Sequence, residues 1–211
     1  MSTTSRVNPT AAATPSPRRA RVRPLRADVR EGVLAAGRDA FRELGYHGAS
    51  LDGIARRAGF SKGAVYSNFD SKESLFLACM DVEMKELGDK RRETTSTTDT
   101  DAYFRDLATW LLGIASDGRG QRAFTEFAAY AARDAELSAR LVEVRRPLTE
   151  RTMHTLAAVA QEQGRDLAVS AADAAAMVLS LANGLSLEQI GREEPVMTVD
   201  GLATLLRALY V

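Results

Sequence analysis

Residues 50 to 75, SLDGIARRAGFSKGAVYSNFDSKESL, constrain the fold more than any other part of this chain. Ser50 is a helix-start residue, because its hydroxyl can accept a backbone N–H group of the first turn. Gly59 is a helix-stop residue, since glycine adopts the left-handed backbone that a side chain resists. Between them, four apolar residues recur at helical spacing, namely Leu51, Ile54, Ala55 and Ala58. The pattern predicts a short helix closed by a tight turn.

A second, shorter helix follows at once and leaves a small, polar face on the outside. Ser61 caps this helix, and Val65 and Phe69 lie four residues apart, so that both face inward. The residues left facing outward are Lys62, Gly63, Ala64, Tyr66, Ser67 and Asn68. Two helices joined by a glycine-containing turn, the second with a polar and basic outer face, form the helix-turn-helix that enters the DNA major groove.

The stretch from about Val29 to Leu77 resembles the DNA-binding domain of the TetR family of bacterial one-component regulators. The resemblance rests on residues at fixed spacing, which are Ala40, Phe41, Gly45, Tyr46, Ser50, Leu51, Ile54, Ala55, Ala58, Gly59, Ser61, Lys62, Gly63, Tyr66, Phe69, Ser71, Lys72, Glu73 and Leu75. The rest of the chain carries no motif of comparable specificity. The resemblance implies an N-terminal DNA-binding domain followed by a helical domain that binds an effector and a second subunit.

The helical patterns and the resemblance together predict an all-α chain of about nine helices in three parts. Residues 1–25 are expected to be a disordered basic arm, because they hold no acidic residue and almost no apolar pattern. Residues 26–74 are expected to be a three-helix, helix-turn-helix DNA-binding domain. Residues 75–211 are expected to be the ligand-binding and dimerisation domain.

Start and stop signals place the helices at about 27–45, 51–58, 62–68, 71–90, 100–116, 121–133, 135–163, 170–190 and 199–210. The polar run 91–99 and the segment Gly118-Arg119-Gly120 are expected to be loops. Pro147 is expected to kink the seventh helix or divide it, since an interior proline removes a hydrogen bond. No strand-like alternation is visible in the sequence.

Composition favours a soluble protein of the cytoplasm. The hydrophobic share is 45% and the charged share 27%, which is ordinary for a globular protein. A single cysteine, Cys79, fits a reducing compartment. No apolar run approaches the roughly 18 residues of a membrane span, and the first 24 residues lack the apolar segment of a signal peptide.

Charge is distributed unevenly along the chain. Residues 1–76 hold 13 Lys and Arg against 7 Asp and Glu, a balance of +6, and the neutral total leaves −6 for residues 77–211. A basic front and an acidic back suit a protein that meets polyanionic DNA at one end only. Chance clustering is the alternative, but the basic part coincides with the helix-turn-helix.

Individual residues of the second short helix can be given roles at DNA. Gly63 and Ala64 are small enough to let the backbone approach base edges, and Lys62 can donate to guanine or to phosphate. Asn68 could read adenine, Ser67 could reach a base or a phosphate, and Tyr66 resembles the family tyrosine that contacts the DNA backbone. Three residues at or near helix N-termini are candidate phosphate ligands, although simple capping explains the serines equally well: Ser50, Ser61 and Lys72.

Basic residues at the end of the arm extend this set. We expect Arg21, Arg23 and Arg26 to reach the DNA minor groove, because they immediately precede the DNA-binding unit. A solvated tail that only aids solubility is the alternative.

By resemblance, the last two helices pair with those of a second copy in a four-helix bundle, since they carry more apolar surface than one intrachain contact needs. The alternative is that they only close the monomer core. The resemblance also implies an effector pocket within helices 4 to 7, with candidate lining residues Phe104, Trp110, Phe127, Tyr130, Met153 and His154. Plain core packing is the alternative for each aromatic residue.

The function that these observations favour is a dimeric repressor that binds a palindromic operator and is released by a small hydrophobic effector. A DNA-binding regulator or architectural protein without a small-molecule ligand, and a transcriptional activator, remain as alternatives. An enzyme is not expected, and neither is a cofactor, because two histidines and one cysteine form no metal-ligand or nucleophile motif.

Overall fold

The structure, a computed structural model, describes residues 26–94 and 99–211. Within these ranges it is helical, which confirms the all-α class. The nine helices found there are α1 (Arg26–Gly48), α2 (Leu51–Ala58), α3 (Lys62–Tyr66), α4 (Lys72–Thr94), α5 (Thr100–Ala115), α6 (Gly118–Ala131), α7 (Ala135–Glu162), α8 (Ala171–Glu188) and α9 (Val199–Arg207). None of these helices is long and apolar enough to cross a bilayer. The predicted arm, with Arg21 and Arg23, lies outside the described residues.

Two predicted loops are wrong. The helix α4 continues to Thr94, through part of the run expected to be a loop, and α6 begins at Gly118, three residues before its predicted start. Glycine is tolerated in a first turn, because the first four N–H groups of a helix have no intrahelical partner. At the cap position of α6, the carboxylate of Asp117 makes no capping hydrogen bond and pairs instead with Arg42 of α1.

The helix α7 runs through Pro147 as one element, so the predicted division does not occur. A proline at this position removes the hydrogen bond to the carbonyl four residues earlier, that of Glu143. Both Glu143 and Pro147 are exposed, and water can therefore bond this carbonyl.

The chain end forms a short antiparallel pairing that the sequence did not reveal. The helix α9 ends at Arg207, and Leu167 and Tyr210 then form an isolated β-bridge. The amide of Ala168 donates to the carbonyl of Leu209 at 2.8 Å, and Asp166 and Val211 exchange bonds of 3.1 and 2.9 Å. Three residues on each side are too few to leave an alternating pattern.

Two apolar cores hold the described helices together. The first core joins α1 to α4 with α6 and the start of α7, through Ala123, Phe127, Ala131 and Leu137. The second core is built from α5, the later part of α7, α8 and α9. The domain boundary at residue 74 stays a prediction, but packing extends across it because α6 belongs to the first core.

Cys79 lies in the first core and is 3% exposed. Its Sγ lies against Gly37, 3.2 Å from the position of a Cβ atom added there. Burial raises the pKa of this thiol to about 12. Because the thiolate is the reactive form, the side chain acts as a small apolar group.

Gly45 is a position where a glycine is required for two separate reasons. Its φ is 75°, and a Cβ atom there would lie 2.7 Å from the Oε2 atom of Glu126. Gly59 has nearly the same φ, 73°, but its Cβ atom would meet nothing within 4 Å. A side chain would cause backbone strain at both glycines, but it would cause a steric clash at Gly45 alone.

We expect Gly59→Ala to lower the free energy of unfolding by about 1 kcal/mol through backbone strain alone. Gly45→Ala should lower it by about 2–4 kcal/mol, because Glu126 must also leave its bonded position. Urea denaturation followed by circular dichroism measures both values. Equal losses in the two variants would contradict the steric contribution at Gly45.

Candidate nucleic-acid interface

Serine caps fix the starts of α2 and α3. The Oγ atom of Ser50 accepts from the amide of Gly53 at 3.2 Å, and that of Ser61 accepts from the amide of Ala64 at 3.2 Å. Gly59 supplies the left-handed turn between the helices, and its amide bonds the carbonyl of Arg56 at 3.2 Å. Both serines thus perform the capping role, and their predicted phosphate contacts stay predictions.

Buried side chains hold α3 against the helices beneath it. Val65 of α3 and Ile54 of α2 are fully buried, and Phe69 is 3% exposed. The guanidinium of Arg30 lies over the ring of Phe69, 5.2 Å from its centre. Because its inner face is anchored in the first core, α3 presents a fixed outer face to solvent.

The outer face of α3 combines one large exposed side chain with bare backbone. Tyr66 is 50% exposed, and a Cβ atom added at Gly63 would meet nothing within 4 Å. Ala64 is half-buried between them, at the edge of the first core. An open, small-residue surface beside an exposed phenol suits close approach to the edges and phosphates of a duplex.

Two predicted base-reading residues are bonded to their own helix. Ser67 Oγ donates to the carbonyl of Ala64 at 2.9 Å, and Asn68 Nδ2 donates to the same carbonyl at 2.8 Å. These bonds satisfy a carbonyl at the end of α3, and the helix stops at Tyr66, two residues before its predicted end. Base contacts by Ser67 and Asn68 stay predictions, and each would use the hydrogen-bonding groups that the bond to Ala64 leaves free.

The two basic residues at this surface are held by protein groups. Lys62, the first residue of α3, forms an ion pair with Asp52 of α2. Arg26 donates from Nη2 to the carbonyl of Ser67 at 2.9 Å, so the start of α1 lies beside the end of α3.

Lys72, a predicted phosphate ligand, bonds backbone carbonyls near the end of α1, and its phosphate contact stays a prediction. Its Nζ atom donates to the carbonyl of Tyr46 at 2.9 Å and to that of Ala49 at 3.2 Å. It also lies over the ring of Tyr46, 4.3 Å from its centre. The ammonium therefore fastens the turn between α1 and α2, which ends at the Ser50 cap. No sequence pattern identifies carbonyl groups 23 and 26 residues away as its partners.

A shared carboxylate links this turn to α6. Glu73 Oε1 accepts from the hydroxyl of Tyr46 at 3.0 Å and from that of Tyr130 at 3.3 Å. Burial and the bond to Glu73 raise the pKa of Tyr46 well above its usual range. Burial alone would raise the pKa of Glu73, but hydrogen bonds from its own amide, Ser71 and both tyrosines outweigh it and lower that pKa.

A second set of polar contacts joins α6 to the end of α1. The amide of His47 donates to Glu126 Oε2 at 3.0 Å, and Arg122 donates from Nη2 to the carbonyl of Leu44 at 3.3 Å. Arg122 and Glu126 also bond each other at 2.9 Å. Arg122, Glu126 and Tyr130 recur every fourth residue, so one face of α6 contacts both the end of α1 and the start of α4. We call these three residues the α6 stripe.

The structure does not bring the six predicted effector residues together. Phe104 is fully buried in the second core, and Trp110 and Met153 pack against that core. Phe127 lies instead in the first core, and Tyr130 is bonded to Glu73 as part of the α6 stripe. His154 is exposed.

The six residues line neither of two clefts on the described surface. A cleft of about 500 Å³ lies between the start of α6 and the end of α8, and one of about 220 Å³ lies between α1 and α2. Across the described residues, no group of three or more His, Cys, Asp or Glu side chains is placed to hold a metal ion. The location of an effector therefore stays a prediction.

Comparison with known proteins gives the class of this fold and interface. Residues 33–79 match the family model described as bacterial regulatory proteins, tetR family. A solved structure of a transcriptional regulator from Rhodococcus sp. Rha1 is similar over 85% of this chain and 95% of its own, with a TM-score of 0.69 and 27% identity. Residues 33–79 therefore carry the DNA-binding domain of the TetR family of bacterial regulators.

Curated relatives match part of the chain: FasR over about a third and AcnR over about a quarter. The transcriptional activator FasR of Mycolicibacterium smegmatis is 40% identical over 72 residues, which are 34% of this chain and 33% of FasR. The transcriptional repressor AcnR of Corynebacterium diphtheriae is 41% identical over 49 residues, 23% of this chain and 26% of AcnR. The chain thus covers a third or less of the length of these relatives.

We expect Lys72→Met to lower the free energy of unfolding by about 1–3 kcal/mol, because the carbonyls of Tyr46 and Ala49 lose their donor. Affinity for duplex DNA should also fall, since the Ser50 cap is no longer held in place. Lys85→Met is the control, because Lys85 is exposed and pairs only with Asp81 among the described residues. Urea denaturation measures the free energy of unfolding, and fluorescence anisotropy measures the affinity for DNA. Equal values for the two variants would rule out the fastening role of Lys72.

Proposed function

We propose that this chain is a DNA-binding transcriptional regulator that places α3 in the major groove. The observation that carries the proposal is the contrast between the two faces of α3. Val65 on its inner face and Phe69 just after the helix are buried. Gly63 and Tyr66, on the other side, are open to solvent. A rigid helix with an accessible backbone is what direct readout of base edges requires. The match of residues 33–79 to the TetR family model supports the same function.

The proposed regulator works as a homodimer. Four large apolar side chains on α8, the turn after it and α9 are about half-exposed, namely Met177, Leu187, Ile190 and Leu205. A five-residue recognition helix contacts too few base pairs for useful specificity, whereas two copies about 34–36 Å apart read a palindromic operator. A second copy of this chain covering α8 and α9 meets both requirements.

We further propose that the regulator is a repressor that a small hydrophobic effector releases from DNA. The effector would bind at the second core, near Phe104, Trp110 and Met153, since these are the predicted residues gathered there. Effector binding would change the packing of the second core. The α6 stripe would transmit this conformational change to the DNA-binding unit, because it contacts the end of α1 and the start of α4. An effector releases DNA only to the extent that it prefers the non-binding conformation.

One relative gives a specific reason to keep activation as a second candidate, because FasR is named an activator and AcnR a repressor. A reporter fused to the target promoter separates the two functions. Deleting the regulator should raise expression for a repressor and lower it for an activator. Either function places the protein in the cytoplasm, where bacterial DNA is.

The test of DNA binding uses the DNA upstream of the chain's own gene as its probe. We expect the parent protein to bind this duplex more tightly than a scrambled duplex of equal length in fluorescence anisotropy. Tyr66→Ala should weaken that binding about tenfold, and Val142→Ala, an exposed change on α7, should not. A folded parent protein that fails to distinguish the two duplexes would count against the proposal, and so would an unaffected Tyr66→Ala variant.

The dimer is tested by placing a charge on the face proposed to be covered. Leu187→Lys should yield monomers in light scattering after size exclusion, because a lysine buried in an apolar interface is desolvated without a partner. Its affinity for DNA should fall with the loss of the second recognition helix. Val142→Lys is the matched control, since Val142 is 64% exposed and Leu187 51% exposed. A dimeric Leu187→Lys variant would exclude this face as the interface.

A further inference from the structure

The outer face of α3 holds one basic residue, and a carboxylate already occupies it. Lys62 is the sole Lys or Arg between Gly59 and Ser71. Its ammonium pairs with the Oδ2 atom of Asp52, the second residue of α2. The side chains are 64% and 39% exposed, so solvent, and hence DNA, can reach the pair.

Capping of α2 does not require Asp52. Ser50 already caps the first turn by accepting from Gly53. The Oδ1 atom of Asp52 is buried and accepts no hydrogen bond from any group that the structure describes. Leaving a buried acceptor unbonded is unfavourable, and an exposed ion pair compensates for little of that cost. The unbonded Oδ1 atom offsets what the carboxylate gains from the dipole of α2, and the pair with Lys62 is the distinct contact that this side chain makes.

The pair fixes a side chain that is otherwise flexible. A free lysine ammonium moves on a four-carbon stem, and freezing that stem at a binding site opposes binding. With one N–H bonded to Asp52, the ammonium keeps two further donors at the start of α3. The acceptors that guanine presents in the major groove are N7 and O6. Ala64 engages the single side-chain donor of Ser67 and one of the two donors of Asn68, so Lys62 keeps the most free donors of the three.

We infer that Asp52 is a positioning residue that sets sequence specificity. It holds Lys62 in place so that the ammonium reads a guanine in each half-site, and it prevents Lys62 from binding phosphates wherever the guanine is absent. The carboxylate itself repels phosphates, which adds to the penalty on non-cognate DNA. This inference rests on the proposed function, since it requires that α3 enters the major groove.

Asp52→Asn tests the inference, with Asp81→Asn as a closely matched control. Asp81 pairs with Lys85 on α4, and the side-chain exposures of that pair are also 39% and 64%. The probes are the duplex upstream of the chain's own gene and a scrambled duplex of equal length and composition. Anisotropy titrations over a range of KCl concentrations give the affinities and their salt dependence, and thermal unfolding checks that each variant is folded.

We expect Asp52→Asn to bind the scrambled duplex about two- to fivefold more tightly than the parent protein. Its plot of log affinity against log salt should steepen by about 0.9, because the freed Lys62 neutralises one more phosphate. The preference for the upstream duplex over the scrambled one should fall about fivefold or more. Asp81→Asn should match the parent protein in all three measurements. A purely structural role would lower affinity for both duplexes and leave the salt slope unchanged, which would overturn the inference.

Lys62→Met provides an independent test that does not depend on the folding of Asp52→Asn. An upstream duplex made with 7-deazaguanine lacks the N7 acceptor and should bind the parent protein several-fold more weakly than the natural duplex. The Lys62→Met variant should bind the two duplexes equally. If it loses as much affinity as the parent protein does, Lys62 does not read guanine and the inference fails. If the parent protein fails to distinguish upstream from scrambled DNA, the proposed function fails first.

Discussion

The proposed DNA-binding surface depends on one ammonium group that bonds the backbone of the protein itself. Lys72 joins the carbonyls of Tyr46 and Ala49 and covers the ring of Tyr46. This contact fixes the end of α1, and the Ser50 cap that starts α2 follows one residue after Ala49. The orientation of α3 is set in turn by α1 and α2. The hydrogen bonds of this one ammonium group therefore affect the position of each helix that is proposed to meet DNA.

The same region is where the rest of the molecule can act on the DNA-binding unit. Glu73 follows Lys72 directly and is shared by Tyr46 of α1 and Tyr130 of α6. Glu126 and Arg122 bond the backbone of α1 on either side of Gly45. A shift of α6 along its axis would break directional hydrogen bonds at both places, whereas sliding of apolar contacts alone would cost much less. The position of α6 is therefore coupled to the end of α1 and the start of α4.

The sequence predicted the helices well where caps and periodicity agree, as in α2, whose bounds Leu51–Ala58 match. It failed where the deciding partner is distant in sequence. The orientation of Lys72, the pairing of Lys62 with Asp52 and the end of α3 at Tyr66 all depend on backbone groups or side chains in other turns or helices. Phe127 and Tyr130 were assigned to an effector pocket because aromatic residues suit one. Only three-dimensional packing shows that Phe127 lies in the first core and that Tyr130 bonds Glu73 at its edge.

The place of α6 in the first core has a consequence for how such chains exchange parts. A recombination joint at residue 74 would transfer α1 to α3 into another chain. Tyr46 would then lose the two rings of α6 that pack on it in this chain, Phe127 and Tyr130. A transferable unit in this chain is therefore discontinuous, because it consists of the N-terminal helices plus a segment some 50 residues downstream that fits them. New operator preferences would then arise more readily by substitution on α3 than by wholesale exchange of its neighbours.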